Sequence, residues 1–218
     1  MKLFSLDERL TLCASLVRNG ARLADIGSDH AYLPVWLLKN GKISFAIASD
    51  INEKPLQSGR RTAEKYGADN IEFRLGAGLS TVTAEDRVTD AVIAGMGGEV
   101  IASIIRDSEL SKQLDLILQP MTRSKELVGF LYENGFEITE QRALTAKGKC
   151  YTAMKARYTG KKTAVSEAFK IMGKLDLTDA ESVKYIEKQI RNLENMSRAD
   201  QSLKALVEEL RSLIGYEN

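Results

Sequence analysis

The sequence predicts an α/β protein built on a mostly parallel, Rossmann-like sheet, and three observations carry that expectation. Strand-like and helix-like segments alternate through the first 159 residues, the pattern of parallel strands joined by crossover helices. Strand-like runs end in acids and glycines, as in Asp25-Ile26-Gly27 and Leu75-Gly76-Ala77-Gly78, which suits strands whose carboxyl ends open onto a ligand crevice. After Thr159-Gly160-Lys161-Lys162 the prolines and strand-like runs cease and helical spacing takes over. The chain is therefore expected to divide into an α/β domain over 1–159 and a small all-helical domain over 160–218.

The elements follow in order. Leu6, Leu10, Cys13, Ala14 and Val17 share one face of an opening helix. Gly20 to Gly27 is a short apolar run, the first strand, and an apolar helix from Tyr32 to Leu38 follows its loop. Lys42 to Asp50 reads as the second strand. A helix from Pro55 to Tyr66 has its proline near the first turn, where a missing amide costs little. Asn70–Leu75 is the third strand and Asp90–Ala94 the fourth, the latter turning at Gly95-Met96-Gly97-Gly98 into a helix through Ile105. Leu114–Leu118 is the fifth, ending at Gln119-Pro120-Met121. A helix from Lys125 to Asn134 stops at Gly135, a left-handed cap position. Phe136–Leu144 and Cys150–Arg157 lie close enough to form a terminal antiparallel pair. Beyond them Val183, Ile186, Ile190 and Leu193, then Leu203, Leu206, Leu210 and Leu213, keep three-four spacing, with a break at Ser197-Arg198-Ala199-Asp200. Two amphipathic helices folded as a hairpin are expected.

Composition narrows the function. With 31 basic and 30 acidic residues the net charge is +1, which argues against a broad nonspecific nucleic-acid footprint and leaves room for a local patch. No apolar run is long enough to span a bilayer, and acids stand too early for a secretory leader. Cys13 and Cys150 are too few for a disulfide framework or a zinc site; a reduced, cytoplasmic setting is expected, with no metal and no membrane.

The chemistry concentrates at the strand ends. A dinucleotide loop needs further glycines so that backbone amides reach a pyrophosphate; here Ser28 and Asp29 stand instead, and Asp29 repels phosphate. A cationic nucleoside without phosphates fits, and S-adenosylmethionine is such a ligand. Asp25 and Gly27 form the first loop, and Asp50, beside Ile51, is placed to accept ribose hydroxyls. Gly76, Ala77 and Gly78 let an adenine ring lie close, and Gly95, Met96 and Gly97 line the crevice between sheet halves. The pattern favours S-adenosylmethionine over NAD and does not name the second substrate.

Asp25-Ile26-Gly27-Ser28-Asp29-His30-Ala31-Tyr32-Leu33-Pro34, then Ile93-Ala94-Gly95-Met96-Gly97-Gly98, then Leu116-Ile117-Leu118-Gln119-Pro120 resemble the bacterial tRNA (adenine-N1)-methyltransferases that modify adenine 22. The resemblance covers roughly the whole chain. It implies a class I methyltransferase sheet with a C-terminal helical coiled-coil domain, S-adenosylmethionine as methyl donor and tRNA as partner. The chain departs from the family where Met121 follows Gln-Pro in place of a common asparagine, and where Cys150 stands for an aromatic residue; Tyr151 is retained. In that reading Asp29 holds the base and steadies the developing cation, with His30 as hydrogen-bond partner or proton acceptor and Gln119 on the base edge. Arg9 pairs with an acid of the first loop or touches a phosphate, Tyr32 and Tyr151 stack on the base, and Pro120 flanks it. The rivals are a methyltransferase acting on a small molecule or protein, a binding protein without turnover, and, more weakly, an NAD-dependent oxidoreductase. A monomer or weak homodimer is expected.

Overall fold

Seven strands form one sheet in the computed structural model, which describes residues 2–196 and 201–215. The strands are β1 (Ala21–Ile26), β2 (Ile43–Asp50), β3 (Ile71–Leu75), β4 (Asp90–Gly97), β5 (Asp115–Thr122), β6 (Phe136–Ala146) and β7 (Lys149–Tyr158), in spatial order β3-β2-β1-β4-β5-β7-β6. The first five run parallel; β7 pairs antiparallel with both β5 and β6. This is the mostly parallel Rossmann-like sheet with one antiparallel terminal pair that the alternation predicts. Its order reverses between β1 and β4, so a crevice opens there at the carboxyl ends.

Helices cover both faces. Apolar residues of α1 (Glu8–Leu16) and α2 (Tyr32–Lys39), including Cys13, Leu16, Leu33 and Leu37, bury against Leu23, Val92 and Ile117. A further helix, α3 (Glu53–Tyr66), packs Ala63 beside Val35 of α2 and Ala48 of β2. On the other face Ile101 and Ile105 of α4 (Gly98–Arg106) join Leu127 and Leu131 of α5 (Ser124–Glu133) over Ile26, Ile93 and Leu118. Burying a large aliphatic side chain stabilises by roughly 1.5–3 kcal/mol, so these two layers hold the strand ends in place.

Three local readings need correction. The fourth strand continues past Ala94 to Gly97, because β5 also continues and pairs Met96 with Pro120 and Gly97 with Thr122. Gly95, at φ +79°, is a bulge inside that strand and not part of a strand-to-helix turn. An additional short helix, α6 (Glu167–Met172), precedes the two long ones, capped by Ser166, whose hydroxyl accepts from the Phe169 amide at 3.1 Å. The long helices are α7 (Ala180–Met196) and α8 (Gln201–Leu213), with Ile186, Ile190, Leu206 and Leu210 buried in one apolar cluster that also takes in Ala143 of β6. The break expected at 197–200 lies outside the described residues.

The amino ends of β4 and β5 carry buried Asp90 and Asp115, at the edge of the sheet opposite the crevice. Arg18 bridges both, at 2.7 Å to Asp90 and 3.0 Å to Asp115, while Arg157 and Lys155 reach Asp115 at 2.7 and 3.2 Å. Burial pushes the Asp115 carboxyl up, but Arg157 and Lys155 outweigh it and hold it below the usual range. Its contribution is thus complete above the ordinary carboxylate pKa and is lost on acidification through the lowered one. Asp115→Ala is expected to destabilise the fold by about 2 kcal/mol at neutral pH. That is less than a fully buried pair costs, because Arg18 and Arg157, with side chains 44% and 57% exposed, can turn to water and only Lys155, 15% exposed, is left without its carboxylate in a half-buried setting. Urea unfolding measures it, with the difference from wild type shrinking in strong acid.

Candidate active site

The crevice at the carboxyl ends of β1, β2 and β4 is a cleft of about 720 Å³, within the range of roughly 300–1,000 Å³ typical of small-molecule sites. Each of its walls follows from a strand end. After β1, Gly27 turns at φ +74°, a left-handed backbone that favours glycine, and the flexible end of the Met96 side chain reaches over it from the β4 bulge. The Gly27 and Ser28 amides both donate to the Ser49 carbonyl, at 2.8 and 2.9 Å, tying the loop to β2. His30 and Ala31 then adopt left-handed backbone, at φ 58° and 52°, before α2 begins. Such conformations are costly for residues with side chains, and here they aim Asp29 at the cleft mouth, its side chain 76% exposed.

Asp25 lies deeper. Ser28 Oγ donates to its carboxylate at 2.5 Å, and burial, only partly offset by that hydrogen bond, raises its pKa to about 6. Asp25 pairs with Ala48 in the sheet, so Asp50 stands two residues nearer the opening. Asp50 accepts the Asn52 amide at 2.8 Å through Oδ1, which fixes the carboxylate beside Ile51 at the rim. Gly76, Ala77 and Gly78 make the next wall, facing apolar Val100 and Ile104 of α4. Gln119, 1% exposed, reaches the cleft from β5; its Oε1 accepts the Gly95 amide at 3.3 Å and its Nε2 donates to the Pro120 carbonyl at 3.0 Å.

Thirteen of the residues singled out from sequence therefore meet in one cleft: Arg9, Asp25, Gly27, Asp29, Tyr32, Asp50, Ile51, Gly76, Ala77, Gly78, Gly95, Met96 and Gln119. Four do not line it. His30 stacks on Tyr32 with ring centres 5.4 Å apart, its Nε2 3.4 Å from Asp29. Gly97 lies beyond the bulge against the Thr122 hydroxyl. Pro120 and Tyr151 line an adjacent groove of about 430 Å³. Arg9 pairs at 3.0 Å with Asp7 and not with an acid of the first loop, since Asp7 caps α1 and lies two residues away. Asp7, Leu10, Asn52, Val100 and Ile104 also line the cleft and were not expected from the sequence. The Asp7 signal was present, an N-cap aspartate immediately before a helical run.

Acids at three depths, bare backbone along two walls and no phosphate cradle suit a cationic, phosphate-free nucleoside. Among the described residues no cluster of His, Cys, Asp and Glu can hold a metal, and no helix is long and apolar enough to cross a membrane.

Residues 6–154 match the family model described as a methyltransferase domain. The chain is 39% identical over 160 residues to the tRNA (adenine(22)-N(1))-methyltransferase of Bacillus subtilis, covering 72% of this chain and 66% of that protein. Among solved structures, one from Streptococcus pneumoniae assigned as a tRNA (m1A22) methyltransferase and holding S-adenosyl-L-methionine superimposes with a TM-score of 0.86. It is 32% identical, and the match covers 96% of this chain and 100% of that one. The Bacillus subtilis tRNA methyltransferase structure gives a TM-score of 0.78 at 29% identity, covering 98% and 97%.

Proposed function

This chain belongs to the bacterial tRNA (adenine(22)-N1)-methyltransferase family, and from that premise we propose that it methylates N1 of adenine 22 in tRNA with S-adenosylmethionine as donor. The observation that carries the reading is the cleft itself, in which Asp25, Asp29 and Asp50 converge from two strand ends without a phosphate-binding loop. We take 1–159 as the donor-binding domain and 160–218 as a helical domain, acting in the cytoplasm as a monomer or weak homodimer.

Asp50 is placed to accept the ribose hydroxyls of the donor, and Gly76 to Gly78 with Ile104 to receive its adenine. Asp25 supplies negative charge beneath the methionine end. Bound S-adenosylmethionine supplies an electrophilic methyl on a cationic sulfur, for which a purine ring nitrogen is nucleophile enough without a strong base. The protein then has to unstack the target base, align it and exclude water. Methylation leaves positive charge on the base, shared between N1 and its exocyclic amine; Asp29 at the mouth holds that amine and offsets the charge. Tyr32, 41% exposed and lining the cleft, offers a base the part of its ring that His30 and Phe4 leave uncovered. Gln119 positions the Gly95 bulge through the hydrogen bond to its amide.

The test is transfer of labelled methyl to unmodified bacterial tRNA, followed by nucleoside identification. N1-methyladenosine that disappears when adenine 22 is changed to guanine is the expected result; donor binding without transfer to tRNA would overturn the reading. A pH series adds a second check. Asp25 with a pKa of about 6 is protonated in acid and ionised above it, and only the ionised form attracts a cation. Donor affinity is expected to be flat above pH 7 and to fall towards tenfold per pH unit below about 6, with Asp25→Asn removing the slope in calorimetric titrations.

A further inference from the structure

We propose that the groove beside the cleft, between the carboxyl end of β5 and α7, binds the base of a nucleotide adjacent to the methylated adenine. The inference rests on the tRNA reading above and names a subsite within it. The groove and the cleft share a wall one side chain thick. Arg9 lines the cleft, donates to Met121 Sδ at 3.0 Å and covers one face of the Tyr151 ring at 5.7 Å, while Met121 and Tyr151 line the groove. Strand β5 crosses the partition, with Gln119 on one side and Pro120 on the next. A strand of RNA that puts one base in the cleft therefore brings its neighbour to the groove.

The chemistry of the groove matches a base better than a phosphate. Its cations are already partnered, Arg123 by Glu126 at 3.2 Å and Lys125 by Glu167. Beside apolar Leu193, Met196 and Leu203, the groove presents the Tyr151 ring, the sulfur-bearing side chain of Met121, and the amides of Gln189 and Asn192. Those two amides stand three residues apart on one face of α7, each offering a donor and an acceptor, the set that reads a base edge. The Tyr185 ring is buried in the groove's floor, where the tyrosine hydroxyl bonds the Ser124 and Thr152 hydroxyls, themselves 3.4 Å apart. A volume of about 430 Å³ accommodates one nucleoside.

The experiment uses the full chain, saturating S-adenosylmethionine and three tRNA transcripts: intact, and abasic at the position before or after adenine 22. Wild type is compared with the double variant Gln189→Ala/Asn192→Ala, neither residue of which is buried or lines the cleft, and donor affinity is measured for both. For wild type, one abasic transcript is expected to raise KM about tenfold with little change in kcat. The double variant should show part of that raised KM on intact tRNA and lose less than wild type does on the abasic one. Equal losses in both proteins, or no loss in wild type at either position, would overturn the subsite while leaving the methyltransferase reading intact. Failure of wild type to methylate intact tRNA overturns both.

Discussion

Asp29→Ala is expected to lower kcat for tRNA methylation by about 100- to 1,000-fold, the range seen when a group aimed at developing charge is removed, and to leave the donor dissociation constant within about twofold. The size of the effect comes from what base entry does to the carboxylate. Asp29 is mostly solvent-exposed in the open cleft, where its interaction with another charge is worth little. A base inserted between Tyr32 and the β4 bulge removes that water, and the same carboxylate then faces a ring acquiring positive charge. The geometry is held before the base arrives: the Asp29 amide donates to the Gly27 carbonyl at 3.0 Å, and the left-handed His30 and Ala31 fix the direction of the loop. Asp29→Asn separates holding from charge. It keeps an acceptor for the exocyclic amine and loses the ion, so its kcat falls between wild type and alanine. Single-turnover rates with saturating donor and tRNA decide the matter; a change confined to KM, or an asparagine variant as fast as wild type, removes Asp29 from the methyl-transfer step.

Most of the scaffold was legible because each strand reports its own burial. Runs such as Ala91 to Ala94 are short, apolar and flanked by an acid and a glycine, which suits a two-sided buried strand better than a helix, and the acids and glycines at their ends mark the crevice. Strand length was less legible, since β4 reaches Gly97 only because β5 reaches Thr122 beside it, a pairing that neither segment announces alone. The short α6 was missed although Ser166 and Gly173 bracket it, because six residues give too little periodicity to detect. The cleft's apolar wall, Val100 and Ile104 on α4, reads locally as ordinary core spacing. Pro120 and Tyr151 are expected at the base from the family resemblance and from the stacking chemistry of a tyrosine; a side chain's direction changes with each step along a strand, and both line the groove across the Arg9 partition. The sequence patterns therefore locate strand ends well and distinguish adjoining pockets poorly.

Asp50→Ala is expected to weaken S-adenosylmethionine binding about 100-fold, which makes it the most sensitive test of how the donor is held. Two ribose hydroxyls on one carboxylate form charge-assisted hydrogen bonds, together worth about 3 kcal/mol at ~1.5 each, and that energy is a factor of roughly 100 in affinity. Part of the loss has another origin: the Asp50 carboxylate also accepts the Asn52 amide, so alanine frees the β2 loop as well as the ribose. Asp50→Asn keeps a neutral acceptor for the amide and isolates the ribose contribution. Thermal unfolding with and without donor reports the difference without a turnover assay. At 100 times the wild-type dissociation constant, binding stabilises wild type by about 2.7 kcal/mol and the alanine variant by only about 0.4. For a chain of this size those are shifts of roughly 8 °C and 1 °C in Tm. A 2′-deoxy analogue of the donor closes the argument: it loses affinity for wild type and loses none for the alanine variant, whereas equal losses in both proteins place the ribose away from Asp50.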